Sequence, residues 1–219
     1  MDSQVGLMNR KIRGLSQQPL VSVALVSINV IIYLLCCIWG NRLYEAGYVG
    51  VQGVLAEGEY RRLLWGMFLH GDVDHLFSNM ILLLFMGSML EKEIGHLPYG
   101  MIYFASGICG NLFSLLIRVL QCDSSVSIGA SGAIFGLDGL LFVMVLMKKQ
   151  GMMNITPQRV ALMILLSLYS GFSGDAVDNA AHIGGLLTGI VLGFVICRLK
   201  ERPAVGRNRK KQMDGEFPE

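Results

Sequence analysis

Long apolar runs without charge alternate along this chain with short charged clusters, and that alternation predicts membrane-spanning helices rather than a soluble core. Six candidate spans follow, at residues 20–39, 76–90, 98–120, 130–147, 160–172 and 179–197. The first carries no charge and is long enough to cross a hydrocarbon core of roughly 30 Å. It is too long, and has the wrong trailing residues, for a cleaved signal peptide. The second and fifth are short, and suit helices that tilt little or lie inside the bundle. Gly87, Gly107, Gly110, Gly136, Gly139, Gly189 and Gly193 fall within spans, where small residues let membrane helices approach closely. No internal repeat or low-complexity segment interrupts the pattern. The expected fold is all-α: a bundle of six transmembrane helices over residues 20–197, with an N-terminal tail (1–19) and a basic C-terminal tail (198–219).

Composition strengthens this reading. The 219 residues are 53% hydrophobic and 16% charged, with a mean hydropathy of +0.54, too apolar for a domain with a polar surface. The net charge of +2 says little, but its distribution fixes an orientation. With six spans both termini share one side. That side collects Arg10, Lys11, Arg13, Lys92, Lys148, Lys149, Arg159 and the basic tail, about 14 of the 18 Lys and Arg residues. Arg42, Arg61, Arg62 and Arg118 fall on the other. The positive-inside rule therefore predicts cytoplasmic termini. The tail over residues 198–211 reads as an orientation signal, with anionic-lipid binding as the alternative.

Candidate chemistry then stands out against the apolar background. Ser131, in Gly129-Ala130-Ser131-Gly132, opens the fourth span, and His182 opens the sixth. Both spans would run inward from the outer face, so a serine and a histidine can meet just below a membrane surface, as a serine hydrolase requires. Gly132 and Gly136 are spaced i, i+4, as are Gly185, Gly189 and Gly193, and two such faces can pack backbone to backbone. The glycines alone would fit plain helix packing, but an imidazole at that depth needs a partner. His75 and Asn79 share one helical face at the start of the second span. A ring N–H and an amide there can point at one developing oxyanion. His70 is expected to anchor its loop by a hydrogen bond rather than to act in catalysis. A metal held by His70, His75 and His182, completed by Asp72 or Asp74, remains an alternative.

On these residues the chain resembles bacterial rhomboid-family intramembrane serine proteases. The matching elements are Gly129-Ala130-Ser131-Gly132, the His70-x4-His75-x3-Asn79 spacing, and Ala181-His182-x2-Gly185-x3-Gly189. Three motifs in this order on a six-span background are far more specific than any one of them. The resemblance implies Ser131 as nucleophile and His182 as general base, a dyad without a carboxylate. It also implies an oxyanion hole of His75, Asn79 and the Ser131 backbone N–H, with no cofactor and no metal. Expected partners are the lipid bilayer and single-pass transmembrane substrates cut near the outer face, not nucleic acid. The expected location is a bacterial cytoplasmic membrane.

Phe135 stands where relatives often carry tyrosine; it keeps a ring to stack on His182 and loses only a hydroxyl. Asp138 lies seven residues beyond Ser131, about 10 Å deeper by helical rise. That is too far to orient His182, and a neutral or hydrogen-bonded acid near Thr188 is expected, with a proton relay as the alternative. Asp178, four residues before His182, is expected to cap the sixth helix rather than complete a triad. The apolar, Gly-rich loop 41–64 suits an interfacial element, and the loop 170–178 is placed to cover the site. His96 falls in a cytoplasmic turn, away from the site. The five cysteines form no metal spacing. The alternative function is a catalytically silent rhomboid-like protein that escorts membrane helices. A small transporter would require broken-helix pairs or repeated halves.

Overall fold

The computed structural model describes residues 18–147, 155–172 and 177–201. Six long helices occur among them. They are α1 (Leu20–Trp39), α2 (Val73–Ile94), α3 (His96–Gln121), α4 (Ser131–Met147), α5 (Pro157–Phe172) and α6 (Asn179–Glu201). No strand is present among the described residues; a lone antiparallel bridge joins Val49 to Ser127. The first, third and fourth helices match the apolar pattern to within two residues. The second starts earlier than its apolar run, because Asp72 accepts from the His75 N–H at 2.7 Å and starts the helix there. It also runs on to Ile94 through a π-turn at Leu83–Gly87. Pro157 opens α5 at the first helical position, where its missing N–H costs nothing.

Among the described residues, four segments are long and apolar enough to cross a membrane: α1, α2, α3 and Asn179–Leu199 within α6. The apolar parts of α4 and α5 are shorter. The tails 1–17 and 202–219, the Lys148–Lys149 pair and residues 173–176 of the expected covering loop lie outside the described residues.

α4 is the axis of the bundle. Nearly every residue from Gly132 to Val145 is buried, as expected of a helix that is apolar all round. Its partner is α6, packed in parallel register. A methyl group added at Gly185 would stand 1.9 Å from the Gly132 carbonyl oxygen, and one at Gly189 would stand 1.8 Å from that of Gly136. The two backbones are therefore in contact, and the small-residue faces account for it. α3 closes the other side with buried Tyr99, Tyr103 and Leu115. Phe77 and Phe85 on α2, Met101 and Leu120 on α3, and Leu165 on α5 point outward, a surface suited to lipid.

Between α1 and α2 the chain forms a short helix (Asn41–Gly47), a π-turn (Gln52–Ala56) and a single helical turn (Arg62–Trp65). Val49 and Val54 are buried, while Leu55, Tyr60 and Leu64 are exposed, the two-sided character expected of an interfacial element. Buried Arg62 holds it together through Glu59, the Glu45 carbonyl at 2.6 Å and the ring of Tyr48.

Candidate active site

Ser131 and His182 head two helices that start at the same end of the bundle. His182 Nε2 lies 2.8 Å from Ser131 Oγ, a hydrogen bond across 51 residues of sequence. The Phe135 ring stacks on the imidazole with centroids 4.2 Å apart and planes 14° from parallel. Phe135 sits one helical turn below Ser131, so the helix that carries the serine also supplies the plate against which the histidine rests. His182 Nδ1 is buried and finds no hydrogen-bond partner among the described residues.

The loop before the serine takes a conformation that only glycine tolerates well. Gly129 has φ +124, and a Cβ there would lie 2.9 Å from the His75 ring. The Gly129 N–H donates to the Gly66 carbonyl at 2.8 Å, which ties this loop to the segment before α2. His75 thus stands beside the loop that carries Ser131, and His75, Asn79, Ser131, Phe135 and His182 line one cleft of about 890 Å³.

His70 is fully buried and meets the Asn79 amide at 3.1 Å through Nε2. Its carbonyl accepts from Tyr44 at 2.6 Å. Burial, with His75 nearby, pushes the His70 imidazole down to about 4. It is therefore neutral at physiological pH, and Nε2 can accept one Asn79 N–H while the second remains for the cleft. His70 anchors its loop, and it does so through Asn79. Nε2 of His70 and of His182 are thus both engaged, and no group of three His, Cys, Asp or Glu side chains among the described residues could hold a metal ion.

Asp178 caps α6: its Oδ1 accepts from the Ala181 N–H at 2.9 Å, and its carbonyl accepts from the His182 N–H at 3.2 Å. Sequence reasoning missed its other partner. Arg118, buried near the end of α3, reaches Asp178 Oδ2 at 3.0 Å, and Ser114 donates to the same oxygen. Burial by itself would raise the Asp178 carboxyl, but bonds from Ser114, the Ala181 N–H, Ser127 and Arg118 outweigh it and hold it below the usual range. The signal available in sequence was a cation two residues from the end of an apolar span, which requires an anion nearby.

The expected contact between Asp138 and Thr188 does not form. Thr188 Oγ1 donates to the Gly184 carbonyl at 2.8 Å, within its own helix, the usual resort of a threonine in an apolar setting. Asp138 is buried on α4 with no hydrogen bond to Thr188. His96 lies away from the cleft and pairs with Glu91. None of the five cysteines forms a disulfide.

A family model described as the Rhomboid domain matches residues 57–199, well over half of the chain, and includes His75, Asn79, Ser131, Phe135 and His182. The chain belongs to the rhomboid family. It is 33% identical over 138 residues to the Rhomboid protease GluP of Bacillus subtilis, covering 63% of this chain and 26% of that protein. With the Putative rhomboid protease YdcA of the same organism it shares 30% identity over 160 residues, 73% of this chain and 79% of that protein. RHOMBOID-like protein 4 of Arabidopsis thaliana is 38% identical over 155 residues, 70% of this chain and 38% of that protein. The chain spans less than half the length of several Arabidopsis relatives that it matches. The family includes membrane proteases such as GluP, and the apolar helices of this chain indicate a multi-pass membrane protein.

Proposed function

We propose that this rhomboid is an intramembrane serine endopeptidase that cuts single-pass transmembrane proteins with a Ser131–His182 dyad. The observation that carries the proposal is the 2.8 Å contact between His182 Nε2 and Ser131 Oγ, braced by the Phe135 ring. Ser131 Oγ attacks the scissile carbonyl carbon as its proton passes to His182 Nε2. The carbonyl oxygen becomes an oxyanion, received by the Asn79 amide, the His75 ring N–H and the Ser131 backbone N–H. The C–N bond then breaks, and the imidazolium returns its proton to the leaving amine. Water, deprotonated by the same imidazole, hydrolyses the acyl-enzyme and frees Ser131. Gly129 and Gly132 keep the serine's loop and first turn clear of side chains, while Gly185 and Gly189 let α6 bring the histidine close.

The shorter apolar helices α4 and α5 complete a six-span bundle in this reading. The excess of basic residues on the side of the termini supports cytoplasmic termini and a cleft near the outer face of a bacterial cytoplasmic membrane. The test is cleavage of a model transmembrane substrate by purified protein in detergent or lipid. Wild type should cut and react with a fluorophosphonate at Ser131. Ser131→Ala and His182→Ala should each lose activity at least 1,000-fold, with little further loss when combined. Cleavage retained in either variant would overturn the dyad, and a folded wild type that neither cuts nor labels would favour a silent helix-binding rhomboid.

A further inference from the structure

A dyad leaves one task unassigned. In a three-membered site a carboxylate bonds the far nitrogen of the histidine and fixes the ring. Here His182 Nδ1 meets no such group among the described residues. The nearby carboxylate, Asp178, bonds the backbone N–H of Ala181 instead, and its own carbonyl accepts the His182 N–H. Its effect on the base is exerted through the main chain.

Arg118 extends that effect to the nucleophile. Its Nη2 holds Asp178 at 3.0 Å, and its Nε meets Ser114 Oγ at 3.1 Å. Nη1 reaches Ser125, with Asp123 at 3.5 Å. Ser125 and Asp123 belong to the short loop that leads from α3 to Gly129 and Ser131. That loop is held elsewhere by backbone bonds from Val49 to Ser127 and from Gly129 to Gly66. One arginine, 8% exposed, therefore ties the segment bearing the serine to the segment bearing the histidine through its guanidinium. The glycine contacts between α4 and α6 run from the level of the dyad, where Gly132 meets Ala181, downward; Arg118 is a cross-tie above them.

We infer that Arg118, acting with Asp178, is a positioning residue that sets the alignment of Ser131 with His182 from the loop side. The pair takes over the orienting task that a third catalytic residue would otherwise perform. This rests on the dyad reading given above. A planar fork engaged on three sides cannot be replaced by a point charge without loss. Misplacement of reacting groups by about 1 Å can cost on the order of 100-fold in rate.

The test compares Arg118→Met, Arg118→Lys, Asp178→Asn and the Arg118→Met/Asp178→Asn double variant, each in the full chain. Cleavage kinetics, the rate of fluorophosphonate labelling at Ser131 and thermal unfolding are measured for all. Arg118→Met should lower kcat roughly 10- to 100-fold with KM nearly unchanged, and the labelling rate should fall in parallel. Arg118→Lys should recover part of both rates. The double variant should be little worse than the worse single one, because the two residues act as a unit. A change confined to KM would place Arg118 against substrate and overturn the inference. So would wild-type labelling rates in folded Arg118→Lys and Asp178→Asn proteins, which also decide the matter if Arg118→Met does not fold. Failure of wild type itself to label would instead remove the dyad reading.

Discussion

α4 has two very different neighbours. Against α6 it makes backbone contacts, with glycine Cα atoms set on carbonyl oxygens at Gly132–Gly185 and Gly136–Gly189. Against the rest of the bundle α5 buries chiefly Val160 and Ile164, four residues apart, while Leu162, Leu165, Leu166 and Tyr169 face outward. Side chains can shift rotamer to absorb a displacement; two backbones in contact cannot. The seam that carries the serine and the histidine is thus less deformable than the wall beside it, which is adjustable. Ser167 of α5 lines the same cleft as Ser131 and His182, so the adjustable wall borders the proposed chemistry directly.

The contrast breaks most sharply at the glycines. Gly189→Val should prevent α6 from seating, abolish activity and cost roughly 3 kcal/mol or more, read by thermal unfolding and cleavage together. A variant of normal stability and activity would mean that the backbones are not in contact. Next in size is the oxyanion side: Asn79→Ala should lower kcat on the order of 100-fold with KM little changed. His70→Ala should produce a smaller loss of the same kind, since His70 meets the Asn79 amide and the edge of the His75 ring without lining the cleft itself.

Smaller effects sharpen the comparison. Phe135→Leu removes the stacking plate and should reduce kcat about three- to tenfold, in line with a stacking energy of about 0.5–1.5 kcal/mol. With Thr188 bonded to Gly184 instead of Asp138, Asp138→Leu should leave the dyad active and stabilise the protein by about 1–3 kcal/mol. A sharp loss of activity in Asp138→Asn at unchanged stability would restore a proton-relay role. On the adjustable wall, Leu165→Ala should shift stability by less than about 0.5 kcal/mol. Acid offers one more handle. The Asp178 carboxyl is held low in the folded protein, so its contribution is present above the ordinary carboxylate range and lost as pH falls through its lowered value. Unfolding temperature should drop more steeply in acid for wild type than for Asp178→Asn.

Much of this architecture is legible in sequence because the signals are local. Apolar runs locate the helices to within a few residues, and Ser131, His182 and the i, i+4 glycines declare themselves by spacing within single spans. What escaped was long-range polar pairing. Arg118 and Asp178 are 60 residues apart, and neither has a neighbour in sequence that advertises the other. Thr188 was misassigned for a related reason. Equal depth on parallel helices places two residues at one level without saying which way either faces, and a threonine hydroxyl bonds its own helix more readily than it reaches across.

Glu91 has a consequence for how the protein is made. The first turn of α1 has no side-chain cap of its own. The N–H groups of Val21 and Ser22 instead donate to the Glu91 carboxylate, each at 2.8 Å, and the Ser22 hydroxyl joins them at 2.7 Å. Glu91 arrives 70 residues after Val21. At a synthesis rate of about 5–20 residues per second, the ribosome needs roughly 4–14 s to supply it. For that interval a nascent α1 carries bare donors that can be satisfied only by water or lipid headgroups, so it must wait at the membrane boundary until the second hairpin arm is translated.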